Sequence, residues 1–77
     1  MDQKRIGAFI AQCRREKNLT QMQLAGLLGI TSQAVSKWEN GRGMPDVSLL
    51  QPLCDILGVS LNELFSGEYM PVKYLFS

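Results

Sequence analysis

The 77-residue sequence contains no histidine and only two cysteines, Cys13 and Cys54, which are far apart and each set among apolar residues. Without a CxxC pair or a histidine, four nitrogen, sulfur or oxygen ligands at close spacing cannot be assembled, so a zinc site is excluded. Both cysteines are expected to be reduced and to act as small core hydrophobes. The usual catalytic actors are also missing, since no carboxylates pair by spacing and no glycine loop cradles a phosphate. No enzyme and no cofactor are expected. No apolar run approaches the ~18 residues of a membrane span, and the start of the chain, Met1 to Arg5, lacks the apolar stretch of a signal peptide. The expectation is a cytoplasmic chain without membrane contact.

What is present fits one small globular domain, with 45% hydrophobic and 19% charged residues. A chain of this length buries only ~60% of its unfolded surface, so its stability margin is small. The net charge of +1 hides an asymmetry. Up to Pro45, seven Lys and Arg residues face three acids, a balance of +4; from Asp46 onward Lys73 faces four acids, a balance of −3. Such a chain can present a basic face and an acidic one, as DNA-binding domains do. A spread of solvated charges gives the same totals.

The apolar spacing predicts five helices and an all-α fold. From about Gln3 to Lys17, Ile6, Ile10 and Cys13 form a stripe with Phe9 beside it, and Arg14, Arg15 and Lys17 suit the C-terminal dipole. Thr20 caps a helix from Gln21 to Leu28 that Gly29 closes, with Leu24, Leu27 and Leu28 facing inward and Gly26 exposed. Thr31 caps a third helix, about Ser32 to Glu39. In it Val35 and Trp38 face inward, while Ser32, Gln33, Ser36, Lys37 and Asn40 make the opposite, polar stripe. Trp38, in phase with Val35, is read as core rather than as a base-stacking platform. After the loop Gly41 to Pro45, Asp46 caps a fourth helix, Val47 to Leu57, interrupted by Pro52. Ser60 and Glu63 make a capping box for a fifth helix to about Phe65, and Gly67 ends it.

The second and third helices with their glycine turn meet the requirements of a helix-turn-helix unit. Ala25 is small where the helices cross, Gly29 is free to take positive φ, and Ile30, Val35 and Trp38 pin the second helix to the first. Thr20-Gln21, Leu24-Ala25, Gly29-Ile30, the run Gln33 to Gly41 and Pro45 resemble the Cro/repressor-type (XRE, lambda-repressor-like) helix-turn-helix family. The stretch Leu57 to Leu64 resembles that family's closing helix. The resemblance covers about Ile6 to Gly67. It implies a compact bundle of about five helices that binds operator DNA as a homodimer and regulates transcription, as a repressor above all.

The resemblance also implies roles for individual residues. Ser32, Gln33, Ser36 and Lys37 fall at base-reading positions on a helix laid in the major groove. The chemistry suits this. Gln33 can pair bidentately with adenine, Lys37 can reach guanine O6 or N7, and the serines can meet bases, phosphates or bridging water. Gln21, Thr31, Asn40 and Arg42 fall at phosphate-binding positions, which set register but carry no sequence information. Arg14 and Glu39 match a structural salt bridge.

Residues 1–67 are therefore assigned to the DNA-binding domain. The tail, residues 68–77, carries no helical signal and is oddly apolar. It can pair as a strand with another chain and serve dimerisation, fold back on the core, or be the stub of a longer protein. Together with the acidic C-terminal part it supports an alternative reading, a helical protein-interaction module such as an antitoxin-like partner.

Overall fold

In the computed structural model, which describes residues 2–71, the chain forms five helices joined by short turns. They are α1 (Gln3–Glu16), α2 (Gln21–Leu28), α3 (Ser32–Glu39), α4 (Val47–Leu57) and α5 (Leu61–Ser66). Lys17 caps α1 rather than continuing it, and α5 reaches Ser66, one residue past the expected end.

The caps explain these boundaries. Asp2, Thr20, Thr31, Asp46 and Ser60 each accept a backbone N–H from the first turn of the helix that follows, satisfying a donor with no partner inside the helix. Thr20 with Gln23, and Ser60 with Glu63, close full capping boxes. At the other ends, Gly29, Gly58 and Gly67 adopt left-handed geometry that a side chain would strain. Asn18 takes the same geometry after α1, as a residue whose short amide tolerates it. α4 continues through Pro52, which is exposed, as is Ser48, whose carbonyl loses its partner there.

α1 is the central element, packing against α3, α4 and α5. Its Ile6, Phe9, Ile10 and Cys13 meet Leu24 and Ala25 of α2, Val35 and Trp38 of α3, Leu53, Cys54 and Leu57 of α4, then Val59 and Leu64. Leu27 departs from the expectation: it is 62% exposed rather than inward. α2 buries the arc defined by Leu24, Ala25 and Leu28, and at 100° per residue Leu27 lies about 100° from the centre of that arc.

The segment after α5 lies on α1. The Tyr69 ring meets Phe9 edge-on at 5.0 Å between centroids. Its hydroxyl donates to Glu16 and lies 3.3 Å from the Cys13 sulfur. Met70 N–H donates to Glu63 at 2.9 Å, and Arg5 pairs with Glu68. Of the three readings of the tail, folding back on the core is the one that Glu68 to Met70 follow; residues 72–77 lie outside the described residues.

Candidate nucleic-acid interface

α3 owes its orientation to a polar clamp at its C-terminal end. Arg14 Nε donates to Glu39 Oε2 at 2.7 Å and Arg14 Nη2 to Glu39 Oε1 at 2.9 Å, while Nη1 donates to the Leu19 carbonyl at 2.8 Å. The two side chains are 10% and 5% exposed. A fork of two parallel charge-assisted bonds is directional as well as strong, so it fixes a geometry and not merely a distance. The bonds to Glu39 push the Arg14 pKa still higher than its ordinary value. Arg14 and Glu39 thus meet as the resemblance implied. Val35 and Trp38, at 0% and 6% exposure, hold the inner side of α3 in the core.

The opposite face of α3 is left to solvent. Gln33 and Lys37 are exposed, with Ser32 and Ser36 half-buried beside them. Among the described residues, the only polar contact of the Gln33 amide is a long one, 3.4 Å, from the Ser32 hydroxyl. Residues 33 and 37 stand one turn apart on the same stripe, so an amide and an ammonium point outward together. This pair offers two kinds of donor and an acceptor to solvent on a packed support.

The residues expected at phosphates are placed less uniformly. Gln21, at the first position of α2, turns its Nε2 inward to Glu39 Oε1 at 2.9 Å, which makes it a third member of the clamp. Thr31 accepts the Ala34 N–H at 3.3 Å through its hydroxyl oxygen, leaving the hydroxyl proton to donate outward. Asn40 folds its amide along α3, onto the Ser36 carbonyl at 2.9 Å and the Ser36 hydroxyl at 3.3 Å. Arg42 is exposed, its backbone N–H tied to the Lys37 carbonyl at 2.9 Å. Ala25 is buried at 2% exposure and Gly29 has φ of 71°, both as the α2–α3 turn requires.

The spacing and order of these helices find a match in known proteins. The helix-turn-helix family pattern matches residues 10–64, from the middle of α1 into α5.

The chain belongs to the helix-turn-helix family.

Among similar proteins, the HTH-type transcriptional activator BcrR of Enterococcus faecalis is 44% identical over 59 residues, covering 77% of this chain and 29% of BcrR. The SPbeta prophage-derived uncharacterized HTH-type transcriptional regulator YonR of Bacillus subtilis is 40% identical over 64 residues, covering 83% of this chain and 59% of YonR. The ImmF control region 10 kDa protein of Bacillus phage phi105 is 34% identical over 73 residues, covering 95% of this chain and 81% of that protein. This helix-turn-helix chain therefore spans less than two thirds of the first two relatives. Among solved structures, the clp gene regulator ClgR of Corynebacterium glutamicum superimposes with a TM-score of 0.76 at 25% identity, covering 87% of this chain and 71% of ClgR.

Two features of the site escaped the sequence reading. The inward turn of Gln21 depends on where Glu39 sits in three dimensions, and spacing carries no signal for it. Gly7 lies buried in α1 against the end of α3, and a Cβ built there would sit 2.0 Å from the Trp38 carbonyl oxygen. Its position next to Ile6 marks it as interior to an amphipathic helix, but spacing carries no signal for the contact with α3.

Proposed function

We propose that this chain is a sequence-specific double-stranded DNA-binding transcriptional regulator that places α3 in the major groove. The observation that carries this reading is the contrast between the two faces of α3. One face is locked by Val35, Trp38 and the Arg14–Glu39 fork. The other presents Gln33 and Lys37 to solvent, with Ser32 and Ser36 beside them. A reading edge needs this combination, because bidentate contacts with bases discriminate only when the donors are held still. Thr31 and Arg42 flank α3 and supply phosphate contacts; Gln21 joins them through the second amide N–H that its bond to Glu39 leaves free, and Asn40 by turning its amide away from Ser36.

The chain acts without chemistry of its own, by occupying its site, and the regulation we propose is repression, since a bound domain excludes other proteins from the same duplex. It works as a homodimer whose two copies of α3 meet half-sites about 34 Å apart on a two-fold symmetric operator.

Selection of bound duplexes from a random pool, followed by anisotropy titration across a salt series, tests the reading. The expected result is a recovered consensus, with affinity that falls linearly against log salt as phosphates release counterions. Binding indifferent to both sequence and salt would overturn it. A promoter reporter carrying the consensus then reads the sign of regulation.

A further inference from the structure

We propose that Gly7 is a positioning residue for sequence discrimination, because it lets α1 seat directly on the last turn of α3 and so fixes where the reading edge stands. The inference rests on the DNA-binding reading above.

α1 touches the end of α3 at three successive heights. At the first, Gly41 lies flush on α1: a Cβ there would sit 2.8 Å from Lys4 Cγ and 2.9 Å from Lys4 Cα. At the second, a Cβ on Gly7 would be 2.0 Å from the Trp38 oxygen and 3.1 Å from the carbonyl carbon and oxygen of Glu39. The Trp38 oxygen is held from its other side, because it accepts the Gly41 N–H at 3.0 Å. At the third, Arg14 grips Glu39 with its fork. Gly7 and Arg14 are seven residues apart, two turns or about 10 Å along α1.

These three points define the attitude of α3, not only its attachment. A methyl at Gly7 forces the Trp38 carbonyl back by roughly 1.5 Å to reach ordinary contact distance. The fork at Arg14 resists that retreat, so α3 tilts rather than detaching. Gln33 and Lys37, one turn apart on the far side, are carried by the tilt. Hydrogen bonds to base edges have a working range of only about 0.5 Å, so a displacement of this size removes bidentate readout. Attraction to phosphates falls off far more gently with distance and survives.

The experiment compares the full wild-type chain with Gly7→Ala, Gly41→Asn and, as a control, Gly26→Ala, where an added Cβ meets nothing within 4 Å. Asn is chosen at position 41 because it tolerates the φ of 71° there while pressing on the exposed first turn of α1. Each is titrated against the selected duplex and against unrelated DNA over a salt series, with Trp38, the single tryptophan, reporting the junction by fluorescence. Gly7→Ala and Gly41→Asn are expected to lose roughly 10- to 100-fold in affinity for the selected duplex. Their affinity for unrelated DNA stays within about twofold of wild-type, with the same salt slope. Their Trp38 emission shifts, and Gly26→Ala behaves as wild-type. Folded variants that keep the wild-type ratio of specific to non-specific affinity, or that lose both equally, overturn the proposal. If Gly7→Ala does not fold, Gly41→Asn decides by the same ratio. Failure of the wild-type chain itself to discriminate between duplexes would instead be the failure of the DNA-binding reading.

Discussion

Arg14 and Glu39, 25 residues apart in sequence, meet in a two-bond fork almost wholly shielded from water, and Gln21 adds a third donor to the same carboxylate. Removing one partner of a buried pair leaves the other charge desolvated and unpaired, at a cost of about 3–5 kcal/mol. Arg14→Ala is therefore expected to lower the melting temperature by well over 10 °C, since each kcal/mol is worth about 4–8 °C in a domain of this size. Gln21→Ala leaves the fork in place and costs about 1 kcal/mol. Thermal unfolding followed by circular dichroism checks both. A drop of less than about 5 °C for Arg14→Ala would mean that water compensates the orphaned Glu39, contrary to the burial seen.

Two neighbouring glycines in the α2–α3 region should respond to alanine with opposite signs. Gly26 is mid-helix, exposed, and open to a Cβ, so Gly26→Ala gains about 0.4–1 kcal/mol by restricting the unfolded chain. Gly29 closes α2 at φ of 71°, where Ala is strained, so Gly29→Ala loses about 1 kcal/mol or more. Paired urea unfolding curves measure both. The same sign for the two variants would be incompatible with this backbone geometry.

The helices were legible in the sequence because caps, glycines and apolar spacing agreed with one another. Thr20, Thr31, Asp46 and Ser60 marked helix starts, and Gly29 and Gly67 marked ends, through local chemistry that acts before tertiary contacts form. The outward face of α3 was legible for the same reason: Val35 and Trp38 fix its inner side by phase. Leu27 was misread because α2 has only eight residues, and so short a helix carries little periodic information. Gln21 and Gly7 are different. Their roles arise where α1 and α2 meet the end of α3, and no local pattern encodes a contact between elements. Tyr69 belongs with them, since its seat on Phe9 depends on the return of the chain after α5.

Gln33 and Lys37 should fail in distinguishable ways when truncated. Both are exposed, so alanine at either changes stability by no more than about 0.5 kcal/mol. Gln33→Ala removes a neutral reader and is expected to cost about 1–3 kcal/mol on the selected duplex while leaving the salt slope intact. Lys37→Ala removes a cation as well, weakening unrelated DNA too and flattening the slope by up to about one. Anisotropy titrations at four salt concentrations separate the two. Identical behaviour of the variants on both duplexes would remove Gln33 from the reading edge.

Stability should fall on both sides of a neutral plateau, for reasons that can be assigned to residues. Bonds from the Tyr69 hydroxyl and the Gln12 amide hold Glu16 below its ordinary range, and the Ser60 and Met70 backbone N–H groups do the same for Glu63. A carboxylate with a lowered folded pKa contributes above its unfolded value, near 4.3 for Glu, and loses that contribution as pH falls through the folded value. The acid limb thus loosens the seat of Tyr69 and Met70 first. Burial pushes the thiols of Cys13 and Cys54 up, so their contribution is full below the ordinary thiol pKa, near 8.5, and is lost as pH rises beyond it. Tyr69→Phe removes the hydroxyl bond and returns Glu16 toward its ordinary range, which an NMR titration of the Glu16 carboxyl reads directly. Iodoacetamide should label neither cysteine of the native chain at pH 8 except through unfolding, because both are fully buried. Labelling of Cys13 at the rate of a free thiol, with the chain still folded, would show that the segment carrying Tyr69 does not stay on α1 and that the acid-side argument fails with it.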